Sequence, residues 1–86
     1  MDVRVAPEPG SPITLTVMGP GEYCTQFRMK NTCQFKKLMI AYSNVTRLIL
    51  ESLRFQFEGD IINETDTPYS KNLSDGDMIK VFQPMD

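Results

Sequence analysis

The stretch Ser52–Gly59, "SLRFQFEG", sets apolar Leu53, Phe55 and Phe57 on every second residue and then breaks into an acid and a glycine. A period of two belongs to a strand with one face in a core, and Glu-Gly supplies a turn, so the stretch predicts a strand entering a hairpin. The same period occurs three more times. "ITLTVM" (Ile13–Met18) alternates Ile13, Leu15 and Val17 with threonines, and "YCTQFRMK" (Tyr23–Lys30) sets Phe27 and Met29 against Arg28 and Lys30. The turn residues "GPGE" (19–22) join these two runs as a β-hairpin. Near the end, "DMIKVF" (Asp77–Phe82) alternates again around Ile79 and Val81.

Between the hairpin and the opening stretch the period changes. Phe35, Leu38 and Tyr42 stand at i, i+3 and i+7 behind Asn31 and Thr32, both good capping residues. This predicts a helix from about Cys33 to Ser43, with Met39 and Ile40 off its buried stripe and exposed. "NVTRLILE" reads as a connection whose Leu48 and Leu50 plug the edge of the core. "EGDIIN" reads as a turn and a very short fourth strand, and "TDTPYSKNL" as a loop or one-turn helix started by Pro68. Two strands, a helix and further strands bury the helical stripe only if a sheet curls around it. The expected fold is therefore α+β, a β-grasp with a mixed sheet of four to five strands wrapped around one helix and the last strand beside the first.

At 86 residues the chain has room for one modest core. Residues 1–12, with three prolines and a glycine, are expected to form a flexible tail, residues 13–83 the domain, and residues 84–86 a short C-terminal tail. With 41% hydrophobic and 23% charged residues the composition is that of an ordinary globular domain. No apolar run approaches the roughly 20 residues of a membrane span, and the start lacks the pattern of a signal peptide, so a monomer in the nucleus or cytoplasm, away from membranes, is expected.

There is no histidine, which removes Cys-His and Ser-His pairs and histidine metal sites. Two cysteines without other soft ligands do not make a zinc site, and Cys24 and Cys33 are read as free thiols because an extended Cys24 stands too far from Cys33 to bridge. No enzyme, cofactor or metal is expected. Sequons at Asn44, Asn63 and Asn72 carry no weight without a secretory signal. Charge is divided along the chain. Tyr23 to Leu50 holds five basic residues and no acid, whereas Glu51 to Asp86 holds eight acids against three basic residues. Such a division predicts two faces for two kinds of partner, and a pI near 5.0 argues against nucleic acid.

Taken together, "ITLTVMG", "FRMK", "FKKLMIAY", "SLRFQFEG" followed by Thr67-Pro68, and "DMIKVFQ" resemble the successive elements of the SUMO family, from Ile13 to Gln83 without a gap. The resemblance implies a ubiquitin-like β-grasp and two binding surfaces. One is a peptide groove between the second strand and the helix, which in that family receives SUMO-interacting motifs; the matching positions are Phe27, Arg28, Met29, Lys30, Lys37, Leu38 and Tyr42. An edge strand with apolar pockets and basic neighbours suits an extended apolar peptide flanked by acids. The other surface binds the SUMO-conjugating enzyme, and its matching positions are Glu58, Gly59, Asp75 and Asp77.

The sequence also departs from the family pattern. It ends "VFQPMD" with no glycine after Gly76, where the family carries a Gly-Gly carboxyl terminus. The expectation is a module that binds noncovalently, the alternative being a covalent modifier seen in truncated or unprocessed form. "DII" after Gly59 lacks the family's basic residue, and "YSKNLSDGD" carries fewer acids, which weakens the expected enzyme surface. The first twelve residues contain no lysine, so chain building through a tail lysine is not expected.

Overall fold

A computed structural model describes residues 8–84. Its strands are β1 (Pro12–Met18), β2 (Cys24–Lys30), β3 (Arg54–Phe57), β4 (Asp60–Ile61) and β5 (Met78–Phe82), with one helix, α1 (Phe35–Thr46), between β2 and β3. The sheet runs β2-β1-β5-β3-β4, with β1 and β5 parallel and the other pairs antiparallel. The last strand is thus central beside the first, as the apolar alternation of both requires. Ile13, Leu15 and Val17 of β1, Ile79 and Val81 of β5 and Phe55 of β3 point to one face, where Phe35, Leu38, Met39 and Tyr42 of α1 cover them. Burial of each such side chain contributes roughly 1.5–3 kcal/mol. Leu48 and Leu50 pack at the edge of this core, as expected.

Met39 departs from expectation: it is buried, while Ile40 is exposed. Met39 lies four residues after Phe35, and an i+4 neighbour widens the buried stripe towards β3. The helix also starts and ends later than Cys33 and Ser43. Its first free N–H groups are taken by a distant loop, with Phe35 N–H donating to Asp66 O at 2.8 Å and Lys36 N–H to Glu64 O at 3.0 Å. These bonds satisfy donors that a capping side chain otherwise serves. Arg47 closes the helix in the left-handed region, its N–H donating to Ser43 O.

Asn31 is released from capping and does something else. It is fully buried: its Oδ1 accepts from Gly10 N–H at 2.6 Å and its Nδ2 donates to Glu8 O at 2.9 Å. Its backbone N–H donates to Ser11 O and its carbonyl accepts from Tyr69 N–H. Of the expected tail, residues 1–7 lie outside the described residues, residues 8–11 form a turn held by Asn31, and Pro12 opens β1.

Leu50–Ser52 forms a single 3-10 turn, so β3 begins at Arg54 rather than Ser52. The Glu-Gly turn joins β3 to β4 with both residues at positive φ, 50° and 87°, between the paired Phe57 and Asp60. Two successive positive φ values make the two-residue hairpin turn that fits the twist of its strands. Residues 67–73 close as a hydrogen-bonded turn around buried Pro68, with Thr67 and Ser70 bonding each other's backbone N–H groups.

A basic groove between the edge strand and the helix

Among the described residues β2 pairs only with β1, and its other margin is open. No residue of β2 is fully buried, because α1 covers the strand from one side and leaves a gap. The gap is a groove of about 450 Å³. Its β2 wall consists of Phe27, Arg28, Met29 and Lys30, and its α1 wall of Lys37, Leu38 and Ala41. Alternation turns Phe27 and Met29 towards the helix, half-buried against the core, while Arg28 and Lys30 alternate to the outer face and stay exposed. Lys37 is exposed on the opposite wall. Six of the seven expected groove residues thus come together.

Tyr42 is the exception. It is 1% exposed and lies in the core, where its ring makes edge contacts with Phe27 (6.4 Å between centroids) and Phe55 (5.7 Å). Its place on the central line of the buried stripe puts it beneath the groove and not on its wall. Burial pushes its phenol above the usual tyrosine range. Cys33 and Ala41 line the groove without having been anticipated. Both cysteines are free thiols.

The second expected surface gathers less completely. Glu58 and Gly59 share a recess of about 380 Å³ with Gln56, Met78, Lys80 and Phe82. Asp77 directly precedes Met78, so turn and strand start adjoin. The carboxylates of Asp75 and Asp77, however, already accept backbone hydrogen bonds, from Thr14 N–H at 2.6 Å and Ser74 N–H at 2.7 Å. Asp75 fastens the start of β5 to β1, together with Gly76 N–H donating to Thr14 O and Thr16 N–H to Asp77 O, whereas the Asp77 carboxylate closes the loop before the strand. Exposed Met78 and Phe82 are the residues missed here. The alternation of β5 about Ile79 and Val81 carried that signal, since the outward positions of a one-sided sheet face solvent.

Among the described residues no cluster of His, Cys, Asp or Glu could hold a metal ion, and no helix is long and apolar enough to cross a membrane.

Comparison with known proteins agrees with the fold. Residues 13–83 match the family model described as "Ubiquitin-2 like Rad60 SUMO-like". Small ubiquitin-related modifier 3 of Xenopus tropicalis is 42% identical over 71 residues, covering 83% of this chain and 76% of that protein. Small ubiquitin-related modifier 2 of Homo sapiens is also 42% identical over 71 residues, covering 83% of this chain and 75% of its own length. Among solved structures, Caldiarchaeum subterraneum ubiquitin superposes with a TM-score of 0.79 over 88% of this chain and 98% of its own, at 13% identity, and so shares the fold. These relatives are named as modifiers and ubiquitin, not as enzymes. The chain belongs to the SUMO-like family of ubiquitin-like proteins.

Proposed function

We propose that the protein is a noncovalent interaction module whose β2–α1 groove binds SUMO-interacting motifs, extended apolar peptides flanked by acids. The observation that carries this reading is the conjunction of an open strand margin, half-buried apolar residues beside it and three exposed basic residues around it. The free margin offers backbone groups for one more strand, Phe27, Met29 and Leu38 receive apolar side chains, and Arg28, Lys30 and Lys37 receive the acids. A small interface of this kind supports micromolar or weaker affinity, roughly −8 kcal/mol or less favourable.

Its relatives are SUMO modifiers, so partners are to be sought among SUMO-pathway proteins of the nucleus and cytoplasm. The SUMO-conjugating enzyme is the candidate for the recess at Glu58 and Gly59. There the exposed apolar Met78 and Phe82 supply contact area, because Asp75 and Asp77 are engaged by backbone.

Fluorescence anisotropy with a labelled acidic-apolar peptide tests the groove. Binding that weakens with rising salt and with Lys37→Glu supports the reading, whereas affinity indifferent to both contradicts it. A second reading, covalent attachment to target lysines, is favoured by the modifiers among the relatives. It requires a Gly-Gly carboxyl terminus after the last strand, which mass spectrometry of the C-terminal peptide of the native protein decides.

A further inference from the structure

The helix has a second flank. Between α1 and the β3–β4 edge lies another groove, of about 430 Å³. Its floor is apolar, made of Met39, Leu53, Phe55 and Ile62, and Ile61 stands on its rim 47% exposed. Glu51 rises from the turn before β3, and Glu64 from the loop after β4. The one basic residue of the lining, Arg54, turns its guanidinium onto its own backbone, donating to Glu51 O and Leu53 O. No described side chain closes an ion pair with Glu51 or Glu64. Lys36, whose backbone N–H donates to Glu64 O, is not part of the lining.

We propose that this groove is a second docking surface, for a basic protein segment that inserts apolar side chains between Glu51 and Glu64. It is separate from the basic groove and does not depend on the function proposed for it. Two observations set the chemistry of the occupant. The first is charge: an apolar floor between two exposed carboxylates that no described cation pairs with favours lysine or arginine beside the inserted apolar groups and disfavours acids. The second is backbone: β4 is only two residues long, and just beyond it the N–H of Asn63 is taken by the Asp66 carboxylate. Little of this edge is open for strand addition, so recognition here runs through side chains, unlike that at β2.

The test is an amide titration of the full chain with the synthetic peptide Lys-Lys-Leu-Ile-Arg-Leu-Lys-Lys, against a control in which every basic residue is glutamate. Expected are shifts at Met39, Leu53–Phe55 and Ile61–Glu64 with the basic peptide only. Glu51→Lys and Glu64→Lys should each raise its Kd about fivefold or more. Both residues are exposed, so their variants should keep the native amide spectrum. Shifts elsewhere, equal shifts with the acidic control, or affinity unchanged by both reversals overturn the proposal. So does movement of the same amides on diluting the protein alone, which would make a second copy the occupant.

Discussion

One helix separates two grooves of nearly equal size, about 450 and 430 Å³, and they differ in both rim and edge. On the β2 side the rim is basic and the strand margin is seven residues long; on the β4 side the rim is acidic and the strand has two residues. The helix lends an apolar side chain to each groove, Leu38 to one and Met39 to the other, while the flanking elements decide what can be recognised. A long open margin admits a peptide backbone. A short, internally bonded one admits only side chains.

The sharpest way to break the comparison is to remove each floor in turn. Leu38→Ala and Met39→Ala should each cost about 2–4 kcal/mol in chemical denaturation, since both side chains are buried in one core. If the grooves are independent, residual native protein should lose acidic-peptide binding in the Leu38 variant and retain it in the Met39 variant. Gly19→Ala should follow. Gly19 lies at the start of the β1–β2 turn, where an added Cβ would overlap the hydroxyl of buried Tyr42. Relieving that overlap displaces the ring that backs Phe27, at a cost of about 1–3 kcal/mol in thermal or denaturant unfolding.

Charge variants act on binding and leave the fold alone. Lys37→Glu should raise the Kd of an acidic-apolar peptide about tenfold, equivalent to roughly 1.4 kcal/mol, with stability changed by less than about 0.5 kcal/mol. Lys36→Glu is the matching control. One residue along an α-helix is a rotation of about 100°, which takes Lys36 off the basic groove, so its Kd should stay within about twofold. Equal effects of Lys36 and Lys37 would mean that net charge, not the groove, attracts the peptide.

The smallest effect concerns pH. Burial keeps the phenol of Tyr42 protonated in the folded protein beyond the ordinary tyrosine pKa of 10.0. The unfolded chain therefore loses this proton first as pH rises. Stability from this group is fully present below about pH 10 and declines as pH passes through 10 towards the raised folded value. Tyr42→Phe should flatten that alkaline decline in a series of denaturation curves, and an unchanged slope would show that other groups cause it.

Much of this arrangement was legible in the sequence because β1, β2 and β5 alternate strictly and a core on one face leaves the register little freedom. The boundaries of α1 were not. Asn31 and Thr32 look like caps locally, but the donors at Phe35 and Lys36 are satisfied by Asp66 and Glu64, whose position only the tertiary fold sets. Three widely spaced apolar residues define a stripe narrower than the real one, and Met39 lies in the part that they leave out. In the basic groove, Phe27 to Lys30 and Lys37 to Leu38 could be found from an edge strand next to a helix. Cys33 and Ala41 are small and uncharged and give no periodic signal, and the resemblance that places Tyr42 in the groove passes over its position on the central line of the buried stripe. The acidic groove was illegible for another reason: Glu51 and Glu64 belong to two separate loops and line one groove only because β3 and β4 form a hairpin. Likewise Asp75 and Asp77 read as surface acids, whereas the fold uses them as acceptors for backbone N–H groups.

The most direct measurement is an NMR titration of the full chain with an acidic-apolar peptide, followed by intermolecular NOEs between peptide and protein backbone. Shifts should concentrate at Phe27–Lys30, Cys33, Lys37, Leu38 and Ala41, with backbone contacts along the free margin of β2. Shifts centred on Met39, Ile61 and Glu64, or a bound peptide with no backbone contact to β2, would contradict the account.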